Sequence, residues 1–374
     1  MKKFGVCFNL QPVDPIIVNH FTKKYKIYSN DKLFIDSKIL NSSYVDPLII
    51  KELFDAKQYL EDNFLAYNKY RDKIIPNKYK FLGKFYKYHT YIKLIQSCIL
   101  CNINIKSIKT FYDICGAPGE WIRSLFKECP IRKAYAISLY DDGIPYDKEI
   151  SSIVKLKIIS PKDGNIYNIE NLLESLSKVE KVDLVCCDGG FNVKNLKISE
   201  SLQALAHIHL IFAEFIYGLC FTKVKTGIFI CKVFDLLDDI TVQILMCATI
   251  FYKKIQIVKP KESRLVNSEK YLVCQGLEFD DDKDIIRNRL MNLLVECKDS
   301  NPGEIFEKTI LKNDLIQNFK DSLTKINNKL IKAQTDEIYR VVNLCINKYK
   351  EKILSFRGKI IDKNDINIIN NSFL

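Results

Sequence analysis

What the sequence lacks narrows its class first. No apolar run approaches the ~18 residues that a helix needs to span a bilayer. The longest stretch, Ile208 to Cys220, is interrupted by His209 and Glu214. No long apolar segment with a small-residue cleavage site follows Met1-Lys2-Lys3, so no secretory leader is read. Histidine is scarce, with 4 in 374 residues. His207 and His209 stand two apart, which sets them on different faces of a helix, and with His20 and His89 they form no metal cluster. A single Cys-x-x-Cys occurs, Cys98 to Cys101, and no second pair is suitably spaced to complete a zinc site. No metal is expected. The 13 cysteines, an odd number without a leader, read as reduced thiols of an intracellular protein. Cys98 and Cys101 read as packing residues.

Acidic residues are also in deficit, 45 against 57 cations, for a net charge of +12. The excess is uneven. Residues 1–110 hold 19 Lys/Arg and 9 Asp/Glu, so the rest of the chain is near neutral. Between Arg71 and Lys109 there is one acid, Asp72. Tyr79, Phe81, Phe85, Tyr86, Tyr88 and Tyr91 are interleaved with the cations there. Cations take phosphates and aromatic faces stack on bases, so this stretch suits single-stranded nucleic acid. A solvated basic face over an aromatic core reads equally well. A hydrophobic fraction of 47% excludes disorder as the main state. At ~150 residues per domain, the length suits two or three domains, or one with extensions.

The expected organisation is an N-terminal extension (1–75), an α/β domain (76–280) and a helical C-terminal region (281–374). Helices are expected at Ala56–Tyr70 and Lys84–Leu100. From Thr110, strands and helices alternate: strands at Phe111–Cys115, Ala134–Leu139, Val182–Cys187, Gly227–Val233, Lys254–Val258 and Tyr271–Gly276. Helices lie between them at Glu120–Lys127, Leu172–Lys178, Leu202–Phe221 and Ile240–Tyr252. This alternation predicts a mostly parallel sheet. Beyond Asp280 the pattern is helical, with stretches at Ile305–Ile331 and Glu337–Leu354. Heavy use of Ile, Lys and Asn points to an A/T-rich coding genome.

Four short motifs carry chemistry. Asp113-x-Cys-Gly-x-Pro-Gly119 joins a strand to a helix, where glycines admit a ligand to the backbone and the helix start offers free N–H groups. It is neither the dinucleotide fingerprint nor a P-loop, because both Gly-x-Gly-x-x-Gly and Gly-Lys-Ser/Thr are missing. A loop for S-adenosylmethionine, which has no pyrophosphate, fits better. Cys187-Asp188-Gly189-Gly190 puts a carboxylate at a strand's carboxyl end, which faces the ligand crevice of an open α/β sheet. Cys231-Lys232-Val233 closes an apolar strand, where poor solvation favours the neutral amine. Glu269 stands at the entrance of the last strand, after Lys259-Pro260 and Ser263-Arg264. Taken singly, each has a bland reading: a turn, a snorkelling lysine, a surface ion pair.

Together and in this order, the motifs resemble the FtsJ/RrmJ-type ribose 2′-O-methyltransferases, and within them the eukaryotic and viral cap-specific mRNA (nucleoside-2′-O-)-methyltransferases. The similarity runs over roughly residues 84–280. It implies a Rossmann-like methyltransferase fold with S-adenosylmethionine as cofactor. It also implies a Lys-Asp-Lys-Glu tetrad, of which Asp188, Lys232 and Glu269 transfer directly. Lys93 matches the first lysine, with Lys84 and Lys87 as alternatives. His89 stands where cap-specific members usually carry arginine. Gly116, Ala117, Pro118, Gly119, Glu120 and Trp121 are expected at the methionine part of the cofactor, and Ser138 near its ribose. Asp163 and Asn165 are expected at the adenine, and Asp188 beside the reacting group.

Capped mRNA is the implied substrate. The cap-side residues are expected in the Lys78–Tyr91 stretch, including Lys84 and Lys87, and at Asn195 and Arg264. Other capping or transcription proteins are candidate partners, and no membrane is expected. An rRNA or tRNA ribose methyltransferase and a non-catalytic RNA-binding subunit are the competing readings. An A/T-rich genome with this family suggests a large DNA virus or a low-GC eukaryote, and cytoplasm and nucleus both stay open.

Overall fold

Apolar strand stretches separated by amphipathic ones can bury both faces of a sheet, and the computed structural model shows this arrangement from Thr110 onward. It describes residues 5–10, 42–75, 79–81, 84–86, 89–140, 144–160, 163–190, 207–297 and 317–356. The strands are β1 (Gly5–Asn9), β2 (Tyr79–Phe81), β3 (Lys84–Tyr86), β4 (Thr110–Ile114), β5 (Lys133–Ile137) and β6 (Leu156–Ile158), then β7 (Leu184–Cys187), β8 (Ile228–Val233), β9 (Tyr252–Pro260) and β10 (Lys270–Leu277). All but β2 and β3 form one sheet of eight strands, in the order β1-β9-β10-β8-β7-β4-β5-β6. β8, β7, β4, β5 and β6 run parallel. β10 is antiparallel to both β8 and β9, and β1 adds an antiparallel edge on β9. The order reverses between β4 and β7, and an open α/β sheet binds its ligands at such a switch point.

The helices are α1 (Pro47–Asp62), α2 (Phe64–Ile74), α3 (His89–Leu100), α4 (Glu120–Glu128), α6 (Ile169–Lys178), α7 (Ile208–Phe221), α8 (Asp239–Phe251), α9 (Asp281–Cys297) and α10 (Gln317–Phe356), with a single turn, α5, at Lys148–Ser151. α7 is apolar on every side, and thirteen of its residues, from Ile208 to Phe221, are buried. One face of the sheet packs α7 and α8 through Phe215, Phe229, Phe251 and Leu272. The other packs α3 and α4 through Leu94, Trp121, Ile122 and Tyr271. Among the described residues, no helix is long and apolar enough to cross a membrane.

Three expected elements differ from the structure. The helix expected over Ala56–Tyr70 is two helices, because Asn63 leaves helical geometry and donates its amide N–H groups back to Tyr59 O. Lys84–Tyr86 is a strand paired with Tyr79–Phe81, and α3 begins only at His89. Aromatic residues suit a pleated surface, and that local preference prevails there. From Gln317 on, the two C-terminal stretches are one helix through Lys332-Ala-Gln-Thr-Asp336, which contains neither Gly nor Pro; the expected start at Ile305 lies outside the described residues. This helix packs on α1 and α2 around Ile50, Leu53, Tyr67, Val341 and Val342. Leu237, from the loop after β8, completes the cluster.

Candidate active site

Strand register assembles the site. In the parallel pair β7/β8, Cys187 lies opposite Cys231, so the next residues, Asp188 and Lys232, emerge side by side. In the antiparallel pair β8/β10, Lys232 lies opposite Tyr271, with Glu269 just before the strand. α3 lies over this edge and brings Lys93. The structure thus brings together Lys93, Asp188, Lys232 and Glu269.

Two ion pairs result. Lys93 Nζ lies 2.7 Å from Glu269 Oε1, and Lys232 Nζ lies 3.3 Å from Asp188 Oδ1. Lys232 Nζ also donates to Asp188 O at 2.8 Å. All four side chains are only 13–15% exposed. At such depth a charge persists only with partners. Burial opposes the charge on Glu269, but Lys93, Lys232 and Lys259 outweigh it and hold its pKa at about 2. For Asp188 burial wins over both lysines, and its pKa is raised.

Lys232 corrects an expectation. Burial does oppose its charge, as an apolar strand implies, but Asp188, Glu269 and Glu214 outweigh it and raise its pKa above the ordinary lysine value. The resting site therefore holds Lys232 as an ammonium. Gly190 keeps the space for it, since a Cβ there would stand 2.9 Å from Lys232 Nζ.

Glu269 is fixed from several sides. Its Oε1 accepts from Ser263 Oγ and Tyr271 OH, each at 2.9 Å. Lys259 Nζ, fully buried, donates to Glu269 O at 2.6 Å and to Asn267 O at 2.7 Å. Lys259 thus pins the loop that presents Glu269, and burial holds its pKa well below the ordinary value. Tyr271 was read only as part of a strand. Its cross-strand position opposite Lys232 is the signal for its role, and that register is visible only once β8 and β10 are paired.

The Gly-rich loop follows β4. Gly116 must be glycine, because a Cβ would fall 2.2 Å from Asp113 Oδ2 beneath it. The Asp113 carboxyl accepts from Tyr146 OH at 3.1 Å, and burial raises its pKa to about 7. Ala117 and Pro118 form the turn, joined by a cis peptide bond, and Gly119, at φ 112°, leads into α4. Glu120 opens that helix, 3.4 Å from Arg123. Trp121 departs from its expected place on the crevice. Its ring is buried, 5.5 Å from the Tyr271 ring, and its N–H donates to Thr90 O at 2.9 Å. It ties α4 to α3 and β10, behind the tetrad.

Ser138, Asp163 and Asn165 gather beyond the end of β5. Gly164, at φ 62°, sits so close on Ser138 O that no side chain would fit. Asp163 Oδ2 accepts from Asn171 Nδ2 at 2.6 Å, and Asn165 Oδ1 accepts from Tyr167 N at 3.0 Å. Leu139, Tyr140 and Ile144 are exposed large apolar residues next to this group in the chain.

Of the expected substrate residues, Lys84 lies in β3, while Lys87 and Asn195 lie outside the described residues. Arg264 is half-buried, at φ 36°, where the chain turns between β9 and Glu269. Tyr91, offered by the sequence as a cap-side aromatic, is instead buried under Lys127, with its hydroxyl on Glu128.

Comparison with known proteins places this arrangement. Residues 88–277 match the family described as FtsJ-like methyltransferase. A Trypanosoma brucei brucei protein named cap-specific mRNA (nucleoside-2′-O-)-methyltransferase 1 is 33% identical over 183 residues, covering 46% of this chain and 48% of that protein. The Trypanosoma cruzi protein of the same name is 31% identical over 182 residues, covering 46% and 49%. A protein of Autographa californica nuclear polyhedrosis virus, named cap-specific mRNA (nucleoside-2′-O-)-methyltransferase, is 30% identical over 175 residues, covering 45% and 64%. The chain spans about half the length of the first two of these curated relatives.

Proposed function

Because the chain belongs to the FtsJ-like methyltransferase family, we propose that it transfers a methyl group from S-adenosylmethionine to a ribose 2′-hydroxyl at the 5′ end of capped mRNA. The observation that carries this reading is the double ion pair, Lys93–Glu269 and Lys232–Asp188, buried at the carboxyl edge of the sheet. The names of the trypanosome and baculovirus relatives support the capped substrate.

The residues present fit S-adenosylmethionine. Gly116 leaves a cradle that a Cβ would fill, over the buried Asp113 carboxyl. Asp188 supplies a second acid at the switch point between β4 and β7. Gly116 to Glu120 would hold the methionine part. Ser138, Asp163 and Asn165, with the apolar Leu139 and Tyr140, would hold the nucleoside. When bound, S-adenosylmethionine supplies an electrophilic methyl on a cationic sulfur.

The chain's own residues would handle the hydroxyl and its proton. An ammonium has three donors. One of those on Lys232 goes to Asp188 O, and the Asp188 carboxylate stands 3.3 Å away as its ion-pair partner, which leaves a donor for the ribose oxygen. Asp188 thereby aims Lys232, and Glu269 aims Lys93. Holding the oxygen in line supplies much of the rate. To accept the hydroxyl proton, Lys232 Nζ must first release its own. Lys93, and any further cation in the crevice, favours that release. Cations of the N-terminal part, Lys84 and Lys87 among them, would follow the RNA phosphates, and Asn195 and Arg264 would contact the cap side.

The test is methyl transfer from labelled S-adenosylmethionine to matched short RNAs with and without a cap. Transfer that depends on the cap supports the reading. Equal transfer to uncapped RNA or to rRNA and tRNA fragments moves the substrate to those classes. RNA binding without any transfer makes the chain a binding subunit.

A further inference from the structure

Glu214 stands out as a carboxyl that the proposed chemistry leaves unused. It lies in the middle of α7, fully buried, in a helix otherwise almost wholly apolar. An apolar side chain there would need no polar partner, whereas a buried carboxyl does. Its two partners flank the catalytic pair. Glu214 Oε1 accepts from Gly189 N at 3.0 Å, one residue past Asp188. Glu214 Oε2 accepts from the Cys231 thiol at 3.2 Å, one residue before Lys232. A Cβ at residue 189 would lie 2.2 Å from Glu214 Oε1, so the glycine admits this contact.

We propose that Glu214 is a positioning residue for methyl transfer: its carboxyl ties the Asp188 loop to the Lys232 strand from behind and so sets the separation of those two side chains. The inference rests on the methyl-transfer reading given above. The groups facing Glu214 are Cys231 and Lys232 on β8, Cys187 and Asp188 at the end of β7, Cys115 after β4 and Tyr167 before α6. Among these Lys232 is the one base. A charged Glu214 helps to hold its proton, and so acts on the same group it positions.

Two variants test this. Glu214→Gln keeps the size and an oxygen for Gly189 N–H and removes the charge that Glu214 carries above about pH 8, the range in which Lys232 titrates. Glu214→Leu removes the acceptors as well. Misplacing a catalytic group by a fraction of an ångström costs rate far more than binding, so kcat should fall by about tenfold or more in Glu214→Leu, with KM for RNA within about twofold. Glu214→Gln should retain more activity. In the free protein, the Lys232 titration followed by NMR of labelled lysine should move to lower pH in Glu214→Gln. That readout needs no turnover. A wild-type chain that fails to methylate any RNA overturns the reading of the site, while the NMR shift still tests the tie between Glu214 and Lys232. A wild-type kcat in Glu214→Gln together with an unmoved Lys232 titration overturns the proposal, even if Glu214→Leu does not fold.

Discussion

The carboxyl edge of the sheet and the helical layer beside it bury opposite kinds of group. At the edge, Lys93, Asp188, Lys232, Glu269 and Glu214 are packed within reach of one another's charge. In the layer formed by α1, α2 and α10, the buried side chains include Ile50, Leu53, Ala56, Ile338, Val341 and Val342, and the buried polar ones, Asn327, Gln334 and Thr335, carry no charge. Burying ions is often neutral or worse for stability, while burying hydrocarbon is the main favourable term. The two regions therefore divide the tasks, the edge serving chemistry and the layer serving stability. They meet at Asp235, three residues past Lys232. Lys57 of α1 approaches Asp235 Oδ2 at 3.6 Å, and Lys270 of β10 approaches Asp235 Oδ1 at 3.4 Å.

The sharpest way to break this division is to exchange its effects. Lys232→Ala should abolish methyl transfer, a loss of at least about a thousandfold in kcat. Binding of S-adenosylmethionine, followed by calorimetry, should be retained. Asp188, whose pKa is already raised, can take a proton once its partner is gone. Leu53→Ala, in the layer, should cost about 2–5 kcal/mol in urea unfolding and leave kcat unchanged. A layer variant that loses kcat at unchanged stability would erase the distinction.

The acid–base behaviour of stability sharpens it further. Asp113 and Glu214 have pKa values raised by burial to about 7 and about 8, above ordinary values of 3.8 and 4.5. The folded chain keeps protons there that the unfolded chain has lost. Their stabilising effect is thus complete at acidic pH and is lost as pH rises through about 7 and 8. Melting temperature should fall between about pH 5 and pH 8, by the equivalent of several kcal/mol, with a shallower slope in Glu214→Gln and an unchanged one in Leu53→Ala. Glu269 acts the other way: its contribution is present above 4.5 and is lost as pH falls through about 2. The smallest effect is expected at the seam. Lys57→Met should cost about 1 kcal/mol, since Lys270 still pairs with Asp235. A loss as large as that of Leu53→Ala would make Asp235 part of the layer's foundation.

Much of the sheet was legible in the sequence, because buried parallel strands such as Leu184–Cys187 are short unbroken apolar runs between turns. The edges were less so. β1 pairs with β9 across some 250 positions, and no local pattern announces that. Lys84–Tyr86 was misread as helix because aromatic and charged residues there fit both periods. At the site, the resemblance to the family implied Asp188, Lys232 and Glu269 directly and Lys93 with Lys84 and Lys87 as alternatives, and the structure brings Lys93 to the other three. Their supports were not visible. Glu214 lies in an apolar stretch, and Lys259 and Tyr271 flank Glu269 in sequence without showing what they touch; only strand pairing and helix packing turn them toward the tetrad. The charge state of Lys232 was misjudged for the same reason, because its apolar strand is local and three carboxylates reach it from elsewhere.

The most direct test of the account is the chemical position of the transferred methyl. Capped RNA is incubated with the chain and S-adenosylmethionine carrying a deuterated methyl, then digested to nucleosides and read by mass spectrometry. The account predicts the heavy methyl on the ribose of a transcribed nucleotide next to the cap. A methyl found only on a base, or no transfer at all, would contradict it.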